Sequence, residues 1–157
     1  MSATTPLFTA CGGFLLAVLW MDLIFDAQTL TAKGSARELP DQVLDSIARY
    51  YRRAVTESRP MGHLIAVVMA LLIAALGFRM VRGHDPGWLM ALSALLIGGP
   101  ILLAATHTVP NAARLGSRSG SPSAQTVLAR SIWRDHLACA VGMSTFTLLW
   151  LVHDAVL

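Results

Sequence analysis

Three histidines and two aspartates carry most of the chemistry this sequence offers: Asp22, Asp26, His63, His107 and His136. Each lies in or beside a long apolar run, where an ionisable side chain is costly to keep and marks a pathway or a site by default. Asp22 and Asp26 are four residues apart, a spacing that puts both carboxylates on one helix face. Such a set supports three chemistries. Imidazole and carboxylate suit Fe, Zn, Cu or Mn, with His63, His107 and His136 as ligands of the transition metal. Two axial histidines can hold haem iron. A His–Asp pair can act as acid and base toward a hydroquinone-like substrate. The plainer alternative is that polar residues at helix ends anchor headgroups or pair with one another. No HExxH, EF-hand, Ser–His–Asp nucleophile, Gly-rich phosphate loop or dinucleotide fingerprint accompanies these residues.

The elements that must position them are apolar helices. The 157-residue chain is 55% hydrophobic and 13% charged, with a mean hydropathy of +0.59. Soluble domains carry about 25% charged residues, so too few are present here to cover a water-facing surface. The run Met61–Phe78, MGHLIAVVMALLIAALGF, has His63 as its only ionisable residue. As a helix it is roughly 27 Å long, close to a hydrocarbon core of about 30 Å. Three further runs match it, so spans are expected over Pro6–Phe25, Pro60–Phe78, Gly87–Thr108 and Ser131–Leu151. Pro100, beside Gly98 and Gly99, predicts a kink in the third. His136, Ala140, Ser144 and Thr147 recur along one side of the fourth, which should face the other helices. Trp150, His153 and Asp154 are expected at the far interface. Cys11 and Cys139 fall inside apolar runs and read as small buried residues, not a disulfide. The N-terminus lacks the basic stretch of a cleavable signal.

Between the first two spans, DQVLDSIARYYRRAVTES places Leu44, Ile47, Ala48, Tyr51 and Val55 at helical spacing, with Arg49, Arg52 and Arg53 elsewhere around the turn. This is an amphipathic interfacial helix, with Asp41 as its expected cap. It acts either as a connector or as a cover over a ligand. Residues 109–125, rich in Gly, Ser and Arg, read as a loop. The fold class is therefore all-α: a polytopic membrane protein of four transmembrane helices in an antiparallel bundle plus one amphipathic interfacial helix, one domain over residues 1–157.

The basic residues orient it. Lys33, Arg37, Arg49, Arg52, Arg53, Arg59, Arg114, Arg118, Arg130 and Arg134 lie on the first and third connectors or their flanks, against Arg79 and Arg82 on the other side. The positive-inside rule then sets the long connectors in the cytoplasm of a cell (inner) membrane and both termini outside it. The same distribution explains the pI near 9.4 without nucleic acid as a partner. It also gathers Asp22, Asp26, His63, His107, Arg134, Asp135 and His136 toward one membrane edge, where a four-helix bundle can bring them to one pocket.

Two segments, THTVPNAARLG and SIWRDHLACA, resemble a family of small four-span membrane proteins that includes the anthrone oxygenases. In that family an Asn follows the third span and a Trp–Arg–His-type pattern opens the fourth; the matching residues here are Asn111, Trp133, Arg134 and His136. The resemblance covers about a third of the chain. It implies oxygen-dependent oxidation of a small aromatic or polyketide-like molecule, with Asn111, Trp133 and Arg134 among the substrate-binding residues.

Two functions follow as expectations. One is a small redox or ligand-binding protein acting on a hydrophobic or aromatic molecule, with His63, His107 and His136 as acid/base or ligating groups and Asp22 and Asp26 orienting them. The other is an accessory or scaffolding subunit of a larger membrane complex or a homo-oligomer, motivated by small-residue patches near Gly12 and Gly98.

Overall fold

The computed structural model describes residues 4–31, 38–57, 59–83 and 85–156. Lys33, Gly34 and Arg37 of the first connector lie outside them. Helix α1 (Thr4–Asp26) and a short α2 (Gln28–Thr31) precede α3 (Asp41–Tyr51), which continues as a π-helical segment, π1 (Arg52–Glu57). Then come α4 (Arg59–Arg82), α5 (Gly87–Leu103), a second π-helical segment π2 (Ala104–Thr108), α6 (Val109–Gly116) and α7 (Pro122–Val156). Four helical stretches are long and apolar enough to cross a membrane: Thr4–Leu30, Pro60–Arg82, Gly87–Gly116 and Pro122–Ala155. They are exposed along much of their length, with Leu64, Val67, Leu71, Leu95, Leu102, Val141 and Leu148 outward. That pattern suits a bundle whose solvent is lipid.

The spans close a ring in which α1 packs on α7 and α4, and α5 packs on α7 and α4, so α4 and α7 stand diagonally. Small residues set the close crossings. A Cβ on Gly12 would collide with Thr147 Oγ1. A Cβ on Gly142 would lie 3.1 Å from Pro100 Cγ. Pro100 lacks the N–H that would have bonded the Leu96 carbonyl, and Gly142 lets α7 lie over that spot. The helix runs on through Pro100, and the irregularity follows it as π2. Ala140, Ser144 and Thr147 of α7 do face α1.

Two cores result. One lies within the spans, around Phe8, Leu72, Leu89, Ile97, Phe146 and Trp150. The other lies beyond them, where Leu44, Ile47 and Tyr51 of α3 pack on Leu115 of α6 and on Ala129 and Ile132 of α7. The interfacial helix therefore spends its apolar stripe on protein, leaving Arg49, Arg52 and Arg53 exposed.

That second core corrects the reading of residues 109–125 as a loop. Val109–Gly116 and the stretch from Pro122 onward are helical, because Ala112, Leu115, Ala129 and Ile132 have the face of α3 to pack on. Only residues 117–121 turn the chain, with Arg118 at φ 54° and Gly120 at φ 96°. Asp41 is not a cap. Pro40 holds the N-cap position, and Asp41 pairs with Arg118, which also reaches Asp45 Oδ1 at 3.0 Å. Trp150, expected at the far interface, has its ring turned into the bundle: it is 0% exposed, and its Nε1 donates to Ser93 Oγ at 3.0 Å. Cys11 and Cys139 are buried free thiols.

Candidate functional site

The C-terminal third of α1 carries Asp22 and Asp26 on the face turned toward α3 and α7. Asp26 is wholly buried, and both of its oxygens are engaged. Tyr51 Oη donates to Oδ1 at 2.5 Å, and His136 Nδ1 lies 2.7 Å from Oδ2. Tyr51 Oη is also 3.4 Å from His136 Nδ1. A buried carboxylate is tolerable only with such partners. With Nδ1–H donating to Asp26, the ring presents Nε2 as its acceptor on the opposite side. Nε2 faces Asp22 Oδ2 across 3.8 Å, too far for a direct hydrogen bond. Asp22 Oδ1 accepts from Tyr50 Oη at 2.7 Å, and the Tyr50 ring stacks on Phe25 with centroids 4.0 Å apart.

These groups form the polar end of a cavity of about 430 Å³ enclosed by α1, α3, π1, α4, α5, π2, α6 and α7. Its walls are apolar, including Leu19, Ile65, Met69, Ile101 and Met143. Asp22, Tyr50, Tyr51, Thr108 and His136 supply most of its polar atoms. Size and lining match those of a small-molecule site. Both phenols are shifted upward, mainly by burial and then by the neighbouring carboxylates. They are held as neutral donors.

The remaining expected site residues lie apart. His107, half exposed on π2, places Nδ1 2.6 Å from Asp135 Oδ2, and Asn111 Nδ2 donates to its Nε2 at 3.1 Å. Thr108 Oγ1 donates to the same Asp135 oxygen at 3.1 Å. Neighbours on α7 thus serve two pairs, Asp135 outward with His107 and His136 inward with Asp26. His63 is exposed on α4 and does not line the cavity. Trp133 is half-buried and Arg134 exposed, its Nε directed to the Arg130 carbonyl; neither reaches the cavity.

Among the described residues no three His, Cys, Asp or Glu side chains converge as a metal site requires. Asp22 and Asp26 flank His136 on opposite ring nitrogens, so the three cannot share one ion. A bis-histidine haem does not fit either, since both nitrogens of His107 are occupied by Asp135 and Asn111. Sequence reasoning missed Tyr50, and it read Tyr51 only as part of the apolar stripe of α3; the signal was a tyrosine pair on the helix that covers the bundle. Asp135, expected in the cluster that opens the fourth span, is engaged by His107 and Thr108 instead of the cavity groups.

Compared with known proteins, the chain matches no family model, no curated protein and no solved structure. What stands is a four-span helical membrane architecture with an internal network of buried polar residues.

Proposed function

We propose that the cavity binds a small hydrophobic, partly aromatic molecule bearing a hydroxyl or carbonyl oxygen, and that His136 exchanges a proton with that oxygen. The observation that carries this reading is the imidazole itself. Asp26 holds one ring nitrogen, and the other faces a polar gap at the end of an apolar cavity. This is the logic of a base oriented by a buried carboxylate. Asp22 and Tyr50 bracket the far side of the gap, and Tyr51 fixes Asp26.

In the finer form, the bound molecule is a hydroquinone. His136 takes the first phenolic proton, and as two electrons and both protons pass to molecular oxygen the products are the quinone and hydrogen peroxide, an oxygen-dependent oxidation of the kind the resemblance to the anthrone oxygenases implies. His136 is the one family-type residue that lines the cavity; Asn111 bonds His107 outside it, and Trp133 and Arg134 do not line it. The basic end of the bundle, which holds the cavity, faces the cytoplasm, supported by the excess of Arg and Lys there.

The test uses 2-naphthol, a fluorescent phenol that gives up its proton in the excited state when an acceptor is within hydrogen-bond reach. Protein in lipid nanodiscs should bind it saturably and shift its emission to the naphtholate band. His136→Gln should keep the binding and lose most of that band. No saturable binding, or an unchanged band in the variant, overturns the reading. Failure to bind together with constant co-purification of a membrane partner would favour the accessory-subunit alternative.

A further inference from the structure

The cavity has a side opening whose frame can be traced element by element. Helix α4 packs on α5 and on π1; π2 packs on α5, and α6 packs on π1. Yet among the described residues no Cα of α4 comes within 8 Å of one in π2 or α6. Five elements therefore border a gap that none of them fills. The lining residues on its two sides are exposed: Met61, Gly62 and Ala66 on α4, Ala105 and Val109 on π2 and α6. A residue that lines a cavity and is also exposed stands at its mouth.

The mouth opens onto the lipid-facing surface. Gly62 and Ala66 lie in the first two turns of a span that starts at Pro60, roughly 3–9 Å along its axis. That depth is where headgroups give way to acyl chains, and where amphipathic aromatic molecules collect. The rim carries no charged side chain among these residues. The polar groups lie inside, at Asp22, Tyr50 and His136. An apolar threshold leading to a polar end selects a molecule that partitions into lipid and brings its oxygen in with it.

We infer that the ligand reaches this site sideways from the bilayer, through the window between α4 and the π2–α6 segment, and is therefore a lipid-dissolved amphiphile with one polar head, of the hydroquinone or long-chain phenol class. The inference rests on the binding reading above and adds its route and source. It explains why π2 departs from α-helical geometry where it does. The wider turn carries α6 away from α4 toward α3, and the window is the space left behind. A Cβ at Gly62 would meet nothing within 4 Å, as a position beside open space requires.

The experiment measures the rate at which 2-naphthol, preloaded in lipid vesicles, reaches protein in nanodiscs. Gly62→Trp places a ring in open space at one side of the window, and Ala105→Trp does so from the other side, so a folding fault in one leaves the second. Each should slow both binding and release by about tenfold or more. Glu57→Trp, on the exposed face of π1 beyond the rim, should leave both rates unchanged. Wild-type rates in both window variants overturn the inference, as does slowing by Glu57→Trp alone. Wild-type protein that binds no 2-naphthol instead overturns the binding reading beneath it, a result that the window variants do not mimic.

Discussion

The two ends of this bundle are made from the same four helices and handle polar residues in opposite ways. At the end holding the chain termini, Phe8, Phe146 and Trp150 interlock, with Phe8 and Phe146 edge to face at 5.4 Å and Phe8 and Trp150 at 4.8 Å. The Arg79 guanidinium lies 4.6 Å over Trp150, pairs with Asp85 through two bonds and donates to Thr4 Oγ1 at 2.8 Å. There a cation and an anion meet directly and the aromatic rings fill the space. At the other end small residues such as Ala54 and Ala104 line the cavity, Gly62 and Ala66 stand at its rim, and the space stays open. The acids beside that space, Asp22 and Asp26, meet phenols and an imidazole instead of a guanidinium. A guanidinium stays charged under all conditions, whereas imidazole and phenol can pass a proton. One end is therefore filled with rings and tied by a permanent charge, and the other leaves a void beside groups that can exchange protons.

Substitutions at the two ends sharpen or break this contrast. The largest effect is expected for Trp150→Ala, which empties a fully buried site, removes the ring under Arg79 and strands Ser93. A loss of about 3–5 kcal/mol is expected, read from unfolding in mixed detergent. Naphthol binding at the far cavity should survive in the fraction that stays folded. If binding is lost and stability is not, the division of labour is wrong. Next comes Asp26→Ala, which leaves Tyr51 and His136 without their shared carboxylate. A loss of roughly 2–4 kcal/mol is expected, with Asp26→Asn milder because its carbonyl still accepts. Gly12→Ala forces a methyl onto Thr147 Oγ1 and should lose about 1–3 kcal/mol, whereas Gly13→Ala meets nothing within 4 Å and should change little.

The phenols provide a pH test. Tyr50 and Tyr51 are the only tyrosines in the chain. Folding raises both above the ordinary phenol value of about 10. The folded protein thus holds more protons above that pH than the unfolded chain does. The stability linked to the phenols is complete below about pH 10 and declines as pH rises beyond it. Tyrosinate absorbance at 295 nm should stay flat on alkaline titration until the protein unfolds, then rise together with loss of helix. An early rise with helix intact would show that the phenols are not sealed in. The smallest effect is expected for Arg118→Ala. It removes the partly exposed tie between α3 and the α6–α7 turn, and a loss within about 1 kcal/mol is expected from thermal scans.

Sequence patterns alone established the spans, because about twenty apolar residues with hardly a charge have few stable homes outside lipid. They also established the amphipathic stretch from Asp41 and the burial of both cysteines. They singled out Asp22, Asp26 and His136, since a charge in an apolar run must have a partner. What the patterns left open was which partner. His63 also opens a span, yet it ends up exposed, because Gly62, Ile65, Ala66 and Met69 are residues of α4 turned to the cavity and His63 is not on their face. Trp150 reads from sequence as an interfacial ring; that it turns inward was not legible, because Ser93 of a different helix offers its N–H the acceptor. Residues 109–116 read as a loop, yet fold as a helix once α3 supplies a face for Ala112 and Leu115. Periodicity reports how one helix divides its own surface between water or lipid and everything else. Which helix covers that surface, and whether a void is left between them, depends on contacts between residues far apart in the chain, and only the tertiary structure decides that.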